Sequence, residues 1–304
     1  MSDKTKGNIA LLITAIAWGT GFIAQKLGND AMPPLTFNTI RQLMGAIVLS
    51  PLMFASLKKS GYLSRKMNTD SQLAFKKKKA LKAFFVCGLC LCSGTCLQQL
   101  GLLTVSAGKS GFISALYIVF TPVISIVVGK KVNSRAFACI AVAMVGFGFL
   151  SLKGGLGNTT QGDWLTLISA VAFAAHIVSV NVFIDRENGL LISVLQSSFC
   201  GTIGLIGAIL VEHPTMESIL LGMPILLYST LVPTAIGYTL QVIGQKYTDS
   251  TTAALLMSLE AVFAVIFGAI FLHEHMLARE LFGCLLIFIA VIVNQLPERS
   301  DRNK

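Results

Sequence analysis

Ten apolar stretches, each long enough to cross a bilayer, follow one another with little polar sequence between them. A transmembrane helix needs about 20 predominantly apolar residues at 1.5 Å rise each. Segments of that kind lie near 8–27, 36–57, 80–103, 108–129, 134–153, 163–183, 189–211, 221–244, 250–272 and 279–296. Hydrocarbon offers the backbone no hydrogen-bond partners, so runs of this length read as helices. Only 12% of the residues are charged, and 304 residues spread over ten segments leave no room for a soluble domain. Soluble domains carry about 25% charged residues. The expected fold class is all-α, a polytopic membrane protein with ten transmembrane helices.

The net charge of +10 points to topology rather than to nucleic acid. With the N-terminus inside and ten crossings, 19 of the 24 Lys and Arg fall on the inner side, 4 outside, and Arg41 within a span. Nine of the inner charges lie in or beside the 58–79 loop, including Lys76-Lys77-Lys78-Lys79. Positive charge concentrated in cytoplasmic loops sets orientation. The chain is therefore expected in the cytoplasmic (inner) membrane with both termini cytoplasmic. The lysine run also suits contact with anionic lipid. No cleavable leader is expected, because Lys26 and Asn29-Asp30 follow the first apolar stretch where a small-residue cleavage site would stand.

An internal repeat organises the spans. Adding 155 to the numbering matches Gly7, Leu12, Ile13, Ala15 and Ala17 with Gly162, Leu167, Ile168, Ala170 and Ala172, and pairs Trp18 with Phe173 and Arg41 with Gln196. An offset of 143 matches Leu97, Gln98 and Gly101 with Leu240, Gln241 and Gly244, and Leu116, Val119 and Phe120 with Leu259, Val262 and Phe263. The expected organisation is two five-helix repeats, 1–155 and 156–304. Five is odd, so the second repeat enters the membrane inverted. Inverted repeats are a construction of alternating-access carriers, whose site lies at the repeat interface near mid-membrane.

Glu260 is the sole charge in the run Leu255–Phe271, close to its middle, and the repeat makes it the counterpart of Tyr117. A carboxylate at that depth costs roughly 3 kcal/mol on insertion scales unless it is protonated, paired or hydrated. Trp18 sits too deep for an interfacial belt, so its indole N–H needs a helix partner or a ligand. Arg41, near the outer end of span two, either snorkels outward or binds an anionic group or Glu260. His176 and Ser179, three apart in span six, give that helix a polar face leading to Asn181. His176 is either a structural hydrogen-bonding residue or a proton or substrate contact. Gln98 and Gln99 near the outer face, with Gln241 near the inner face and Gln196, are gate residues or interfacial polar groups. Pro51, Pro122 and Pro233 lie within spans and free the carbonyls of Ile47, Ile118 and Ser229. The candidate substrate-binding set is Trp18, Arg41, Tyr117, His176, Tyr238 and Glu260. Gln98, Gln99, Asn181, Gln196 and Gln241 are the candidate gating or polar lining.

Enzyme chemistry is not expected. The sequence has no phosphate-binding loop, dinucleotide fingerprint, His-Glu-x-x-His or nucleophile elbow, and nearly all of its Asp and Glu lie in loops or termini. The seven cysteines all fall in apolar spans, and Cys87-Gly-Leu-Cys90, with no nearby His or acid, reads as small apolar residues. No catalytic residue, metal site or cofactor is assigned.

From Gln245-Lys246-Tyr247-Thr248 through Leu259-Glu260-Ala261-Val262-Phe263 to Leu272-His273-Glu274, together with Trp18-Gly19 and Arg41, the sequence resembles the EamA family of the drug/metabolite transporter superfamily. The resemblance covers essentially the whole chain. It implies two inverted five-helix bundles around a central cavity, with both termini cytoplasmic. Ala261 stands where the family often has Pro, so no proline kink is expected beside Glu260. His273-Glu274-His275 replaces a Gly-Glu pair. The resemblance and the residues together imply a secondary transporter of a small polar or amphipathic metabolite working by alternating access, with export and proton coupling through Glu260 as one reading and the direction left open. Alternatives are an importer of a quaternary amine such as choline, with Glu260, Trp18 and Tyr117 as an aromatic cage, or a flippase-like lipid handler.

Overall fold

In the computed structural model the chain is helical throughout the described residues, which are 2–62, 69–129, 134–151, 159–184 and 189–295. The helices are α1 (Asp3–Ala31), α2 (Pro34–Ser60), α3 (Asp70–Gly101), α4 (Ala107–Ser114), α5 (Tyr117–Val127), α6 (Ser134–Ser151), α7 (Gln161–Phe183), α8 (Gly189–Glu212), α9 (Met216–Leu221), α10 (Met223–Ser229), α11 (Tyr238–Gln245), α12 (Ser250–Ser258), α13 (Glu260–Phe271) and α14 (Ala278–Gln295). A π-helical segment, Thr230–Gly237, joins α10 to α11.

Eight of the resulting rods are long and apolar enough to cross a membrane: α1, α2, α3, α4–α5, α7, α8, α10–α11 with its π segment, and α12–α13. Two further 18-residue helices, α6 and α14, pack against each other. Large apolar side chains such as Ile47, Leu52, Val127, Leu210 and Val211 face outward, while Thr14, Asn38, Gln42, Thr95, Ser169 and Gln196 are fully or almost fully buried. A polar interior under an apolar surface suits lipid as the solvent. It would be unstable in water.

The loop expected over 58–79 is shorter than the sequence suggests. α2 continues to Ser60, and α3 starts at Asp70 behind a capping box in which Thr69 and Gln72 satisfy each other's backbone N–H. The lysine run 76–79 therefore lies on the first turns of α3.

Glycines bring the rods together at two crossings. The start of α7 meets the end of α3 where a Cβ on Gly162 would lie 2.5 Å from the Gly101 carbonyl oxygen. The start of α1 meets the end of α11 where a Cβ on Gly7 would lie 3.1 Å from the Gly244 carbonyl oxygen. Small residues permit such close backbone approach between membrane helices. Gly7 and Gly244 are the residues that the two offsets pair with Gly162 and Gly101.

Two rods are interrupted, and at equivalent places. α4 gives way to α5 across Ala115 and Leu116, and α12 gives way to α13 at Leu259. The second half of each rod begins with Tyr117 or Glu260. No proline stands at either break, so the interruption beside Glu260 arises without the residue whose absence argued against a kink.

Candidate functional site

The first turns of α5 and α13 open onto a cavity. From α1, Trp18, Gly21, Phe22 and Gln25 line it, at spacings of three and four that place them on one helical face. Arg41 enters from α2, Gln98 from α3 and Tyr117 from α5. Phe173, His176 and Ile177 come from α7, Pro233 from the π segment, Tyr238 and Gln241 from α11, and Glu260 from α13. All six residues predicted to contact substrate meet here.

Of the five residues predicted to gate or line, Gln98 and Gln241 reach the cavity wall. Gln196 lies behind it, its Oε1 2.9 Å from His176 Nε2, and orients the imidazole. Gln99 donates to the Asn29 Oδ1 at 2.6 Å and to the Gln25 carbonyl at 3.0 Å, tying α3 to α1. Asn181 donates to the carbonyls of Gln245 and Thr248 beyond the end of α11.

Trp18 has a helix partner. Its Nε1–H donates to the Pro233 carbonyl at 3.0 Å, and Thr14, one turn earlier, donates to the Gly237 carbonyl at 3.2 Å. The π-helical register turns these two carbonyls toward α1, as π-bulges at functional sites commonly do. The Trp18 ring lies over Gly237, where a Cβ would be 2.7 Å from Nε1, and packs on Tyr238 with centroids 5.1 Å apart. Phe173 lies over Gly94 in the same way, with a Cβ there 2.8 Å from Cδ1. The offsets pair Gly94 with Gly237 and Trp18 with Phe173.

Arg41 does not snorkel and does not pair with Glu260. It is 2% exposed, and its guanidinium donates to Asn38 Oδ1 at 2.7 Å, to Thr234 Oγ1 at 3.2 Å and to Gln25 Oε1 at 3.4 Å. These partners are neutral, and the Nε hydrogen has none. Glu260 is also buried and makes no ion pair among the described residues. The Tyr117 hydroxyl lies within electrostatic reach of Glu260 without meeting hydrogen-bond distance and angle, and both ends of the Gln241 amide lack partners. Tyr238 lines the same cavity as Arg41 and Glu260. The cavity thus holds a guanidinium and a carboxyl group that do not pair with each other, with unsatisfied polar atoms on its walls. Buried groups left in that condition are costly unless a ligand or water completes them.

Gln25 is a site residue that sequence reasoning overlooked, although it stands seven residues after Trp18 on the same helical stripe. Phe22, Ile177 and Pro233 are ordinary apolar residues in apolar runs, and nothing in the sequence separates them from lipid-facing neighbours. Cys87 is buried with Ala83, Val180, Ile192 and Val242 and packs as a small apolar residue. Glu274, in the segment that replaces a family pattern, accepts hydrogen bonds from the backbone N–H groups of Ala107 at 2.7 Å and Gly108 at 3.0 Å and so caps α4.

Apolar rods around a buried and partly unsatisfied polar cavity define a multi-pass membrane protein. The model of the EamA-like transporter family matches residues 5–152 and again 160–295, and the chain belongs to that family, within the drug/metabolite transporter superfamily. It is 30% identical to an uncharacterized transporter of Archaeoglobus fulgidus over 94% of this chain and 84% of that protein. It is 23% identical to a probable terminal-alkyne amino-acid exporter of Streptantibioticus cattleyicolor, over 75% of this chain and 73% of that one. A solved crystal structure superposes with a TM-score of 0.67 over 96% of this chain and 97% of that chain, at 15% identity, which is a likeness of fold. The protein is a membrane transporter and not an enzyme.

Proposed function

We propose that the chain carries a small dipolar, amphipathic metabolite across the cytoplasmic membrane by alternating access. It is built as two inverted five-helix repeats, 1–155 and 156–304, making ten crossings with both termini in the cytoplasm. The observation that carries this reading is the make-up of the cavity wall. Trp18 and Phe173, Gly21 and His176, Phe22 and Ile177, Gln98 and Gln241, and Tyr117 and Glu260 all line it. Each pair is related by an offset of 155 or 143. Carriers with inverted repeats place substrate at the repeat interface and use interrupted helices there. The breaks before Tyr117 and Glu260 fit that plan.

Arg41 suits a carboxylate and Glu260 an ammonium, and the aromatic and aliphatic walls suit an apolar side chain between them. The name of the Streptantibioticus relative favours an amino acid-like solute and export. Glu260 would exchange a proton for the substrate's ammonium, which couples the two fluxes. The quaternary-amine cage is less well supported, because Trp18 and Tyr238 pack on each other in a tilted arrangement and Arg41 shares the space. On the cytoplasmic side, the exposed Lys77 and Lys78 on α3 would meet anionic lipid. Counterflow in proteoliposomes, with radiolabelled L-leucine, L-methionine, choline and uridine in parallel, tests the reading. Accumulation of the amino acids supports it, and accumulation of choline or uridine alone overturns the assigned substrate class.

A further inference from the structure

Beyond the cavity, two polar contacts at opposite ends of the molecule are the same contact made twice. The Lys26 ammonium on α1 donates to the carbonyls of Leu102 at 2.7 Å and Val105 at 3.3 Å, in the turn between α3 and α4. The Asn181 amide on α7 donates to the carbonyls of Gln245 at 3.4 Å and Thr248 at 3.3 Å, in the turn between α11 and α12. The offset of 155 takes Lys26 to Asn181, and the offset of 143 takes Leu102 to Gln245 and Val105 to Thr248. Donor and both acceptors are related without adjustment. Neither side chain touches the cavity.

We propose that Lys26 and Asn181 are the two gate latches of the carrier, Lys26 holding the outer face closed and Asn181 the inner, and that their unequal strength biases the empty protein toward opening inward. This rests on the inverted-repeat carrier reading above. The turns they grip lie between wall residues of the cavity: Gln98 and Tyr117 flank one, Gln241 and Glu260 the other. Opening either face by moving these rods apart from α1 or α7 breaks the corresponding latch.

The latches differ in chemistry. Lys26 makes charge-assisted hydrogen bonds, roughly twice as strong as neutral ones, to carbonyls at the C-terminal end of α3, where the helix dipole favours a cation. Asn181 is neutral and its contacts to the two carbonyls are longer. The flanking positions repeat the difference. Asn29 and Gln99 are cross-bonded at the outer end, at 2.6 and 3.2 Å, whereas their counterparts Ile184 and Val242 share one apolar cluster at the inner end. Both latches are closed in this structure.

The test uses the full-length protein in a cysteine-free background with Phe173→Cys as a reporter on the cavity wall. A membrane-impermeant maleimide is applied to either side of oriented vesicles and the modification rate is measured. Lys26→Asn, which copies the inner latch into the outer position, raises the outer-side rate about tenfold, the change produced by losing about 1.4 kcal/mol of gate stability. Asn181→Lys lowers the inner-side rate. Lys26→Arg, which keeps a cationic donor, keeps the parent rates and separates latching from misfolding. An outer rate unchanged in Lys26→Asn, or rates raised equally on both sides, overturns the proposal while leaving the carrier reading in place. A reporter reached from neither side in the parent and in every variant overturns both.

Discussion

Replacing Gly162 by alanine inserts one methyl group at the crossing of α7 and α3. That methyl would lie 2.5 Å from the Gly101 carbonyl oxygen and 2.8 Å from Val105 Cγ2, and closer still to the Thr104 hydroxyl. Favourable non-bonded separations are about 3.5–4.0 Å, so the two helices must part by on the order of 1 Å. The Thr104 side chain can rotate away, but the Gly101 oxygen is main chain and can move only with its helix. Overpacking of this kind costs about 1–3 kcal/mol. The better helix propensity of alanine returns up to about 1 kcal/mol, which leaves a net loss of up to about 2 kcal/mol. At about 2–4 °C per kcal/mol for larger domains, thermal unfolding in detergent should shift down by up to about 8 °C. Gly207→Ala is the control, because a Cβ there meets nothing within 4 Å. It keeps or slightly raises the unfolding temperature. Equal shifts for the two variants would refute the close backbone approach of α7 to α3 at Gly162.

Trp18→Phe removes the hydrogen bond to the Pro233 carbonyl while keeping an aromatic ring on Gly237. It should cost about 1 kcal/mol, measured as a lower unfolding temperature, and an unchanged temperature would count against a structural tie at the π segment. Glu274→Gln removes the carboxylate at the N-terminus of α4. The lost helix-dipole contact is worth about 0.3–1 kcal/mol, and hydrogen exchange at Ala107 and Gly108 should quicken accordingly. A single cysteine at position 71, in the first turn of α3, should react with an impermeant thiol reagent only from the cytoplasmic side. Labelling from outside would reverse the proposed orientation.

Much of this arrangement was legible in the sequence because lipid imposes a severe rule. Apolar length alone located the eight rods that are long and apolar enough to cross a membrane, and a lone glutamate in an apolar run marked the cavity. The offsets found the Trp18–Phe173 and Tyr117–Glu260 pairs because residues at the site differ chemically from lipid-facing leucine and isoleucine. What stayed hidden depends on tertiary context. Phe22 and Ile177 look like any other apolar residue, and only the helix crossing turns them inward. The break at Leu259 has no proline to announce it. Arg41 reads as a partner for Glu260 by charge, yet Asn38, one turn away on the same helix, and Gln25 and Thr234 from neighbouring helices hold it elsewhere. Lys26 reads as a residue at the end of a span. Its role as the counterpart of Asn181 emerges only when the carbonyls they grip are compared.

The proposed transport path has the carboxyl group of Glu260 from α13 and the hydroxyl of Tyr117 from α5 at its centre. Its most direct test is pH-dependent counterflow of an accumulated amino acid in proteoliposomes containing the parent protein or Glu260→Gln. The account predicts that the parent responds to pH and that Glu260→Gln, with no proton to exchange, transports weakly and at a rate independent of pH. Full transport by Glu260→Gln with the parent's pH response would contradict it.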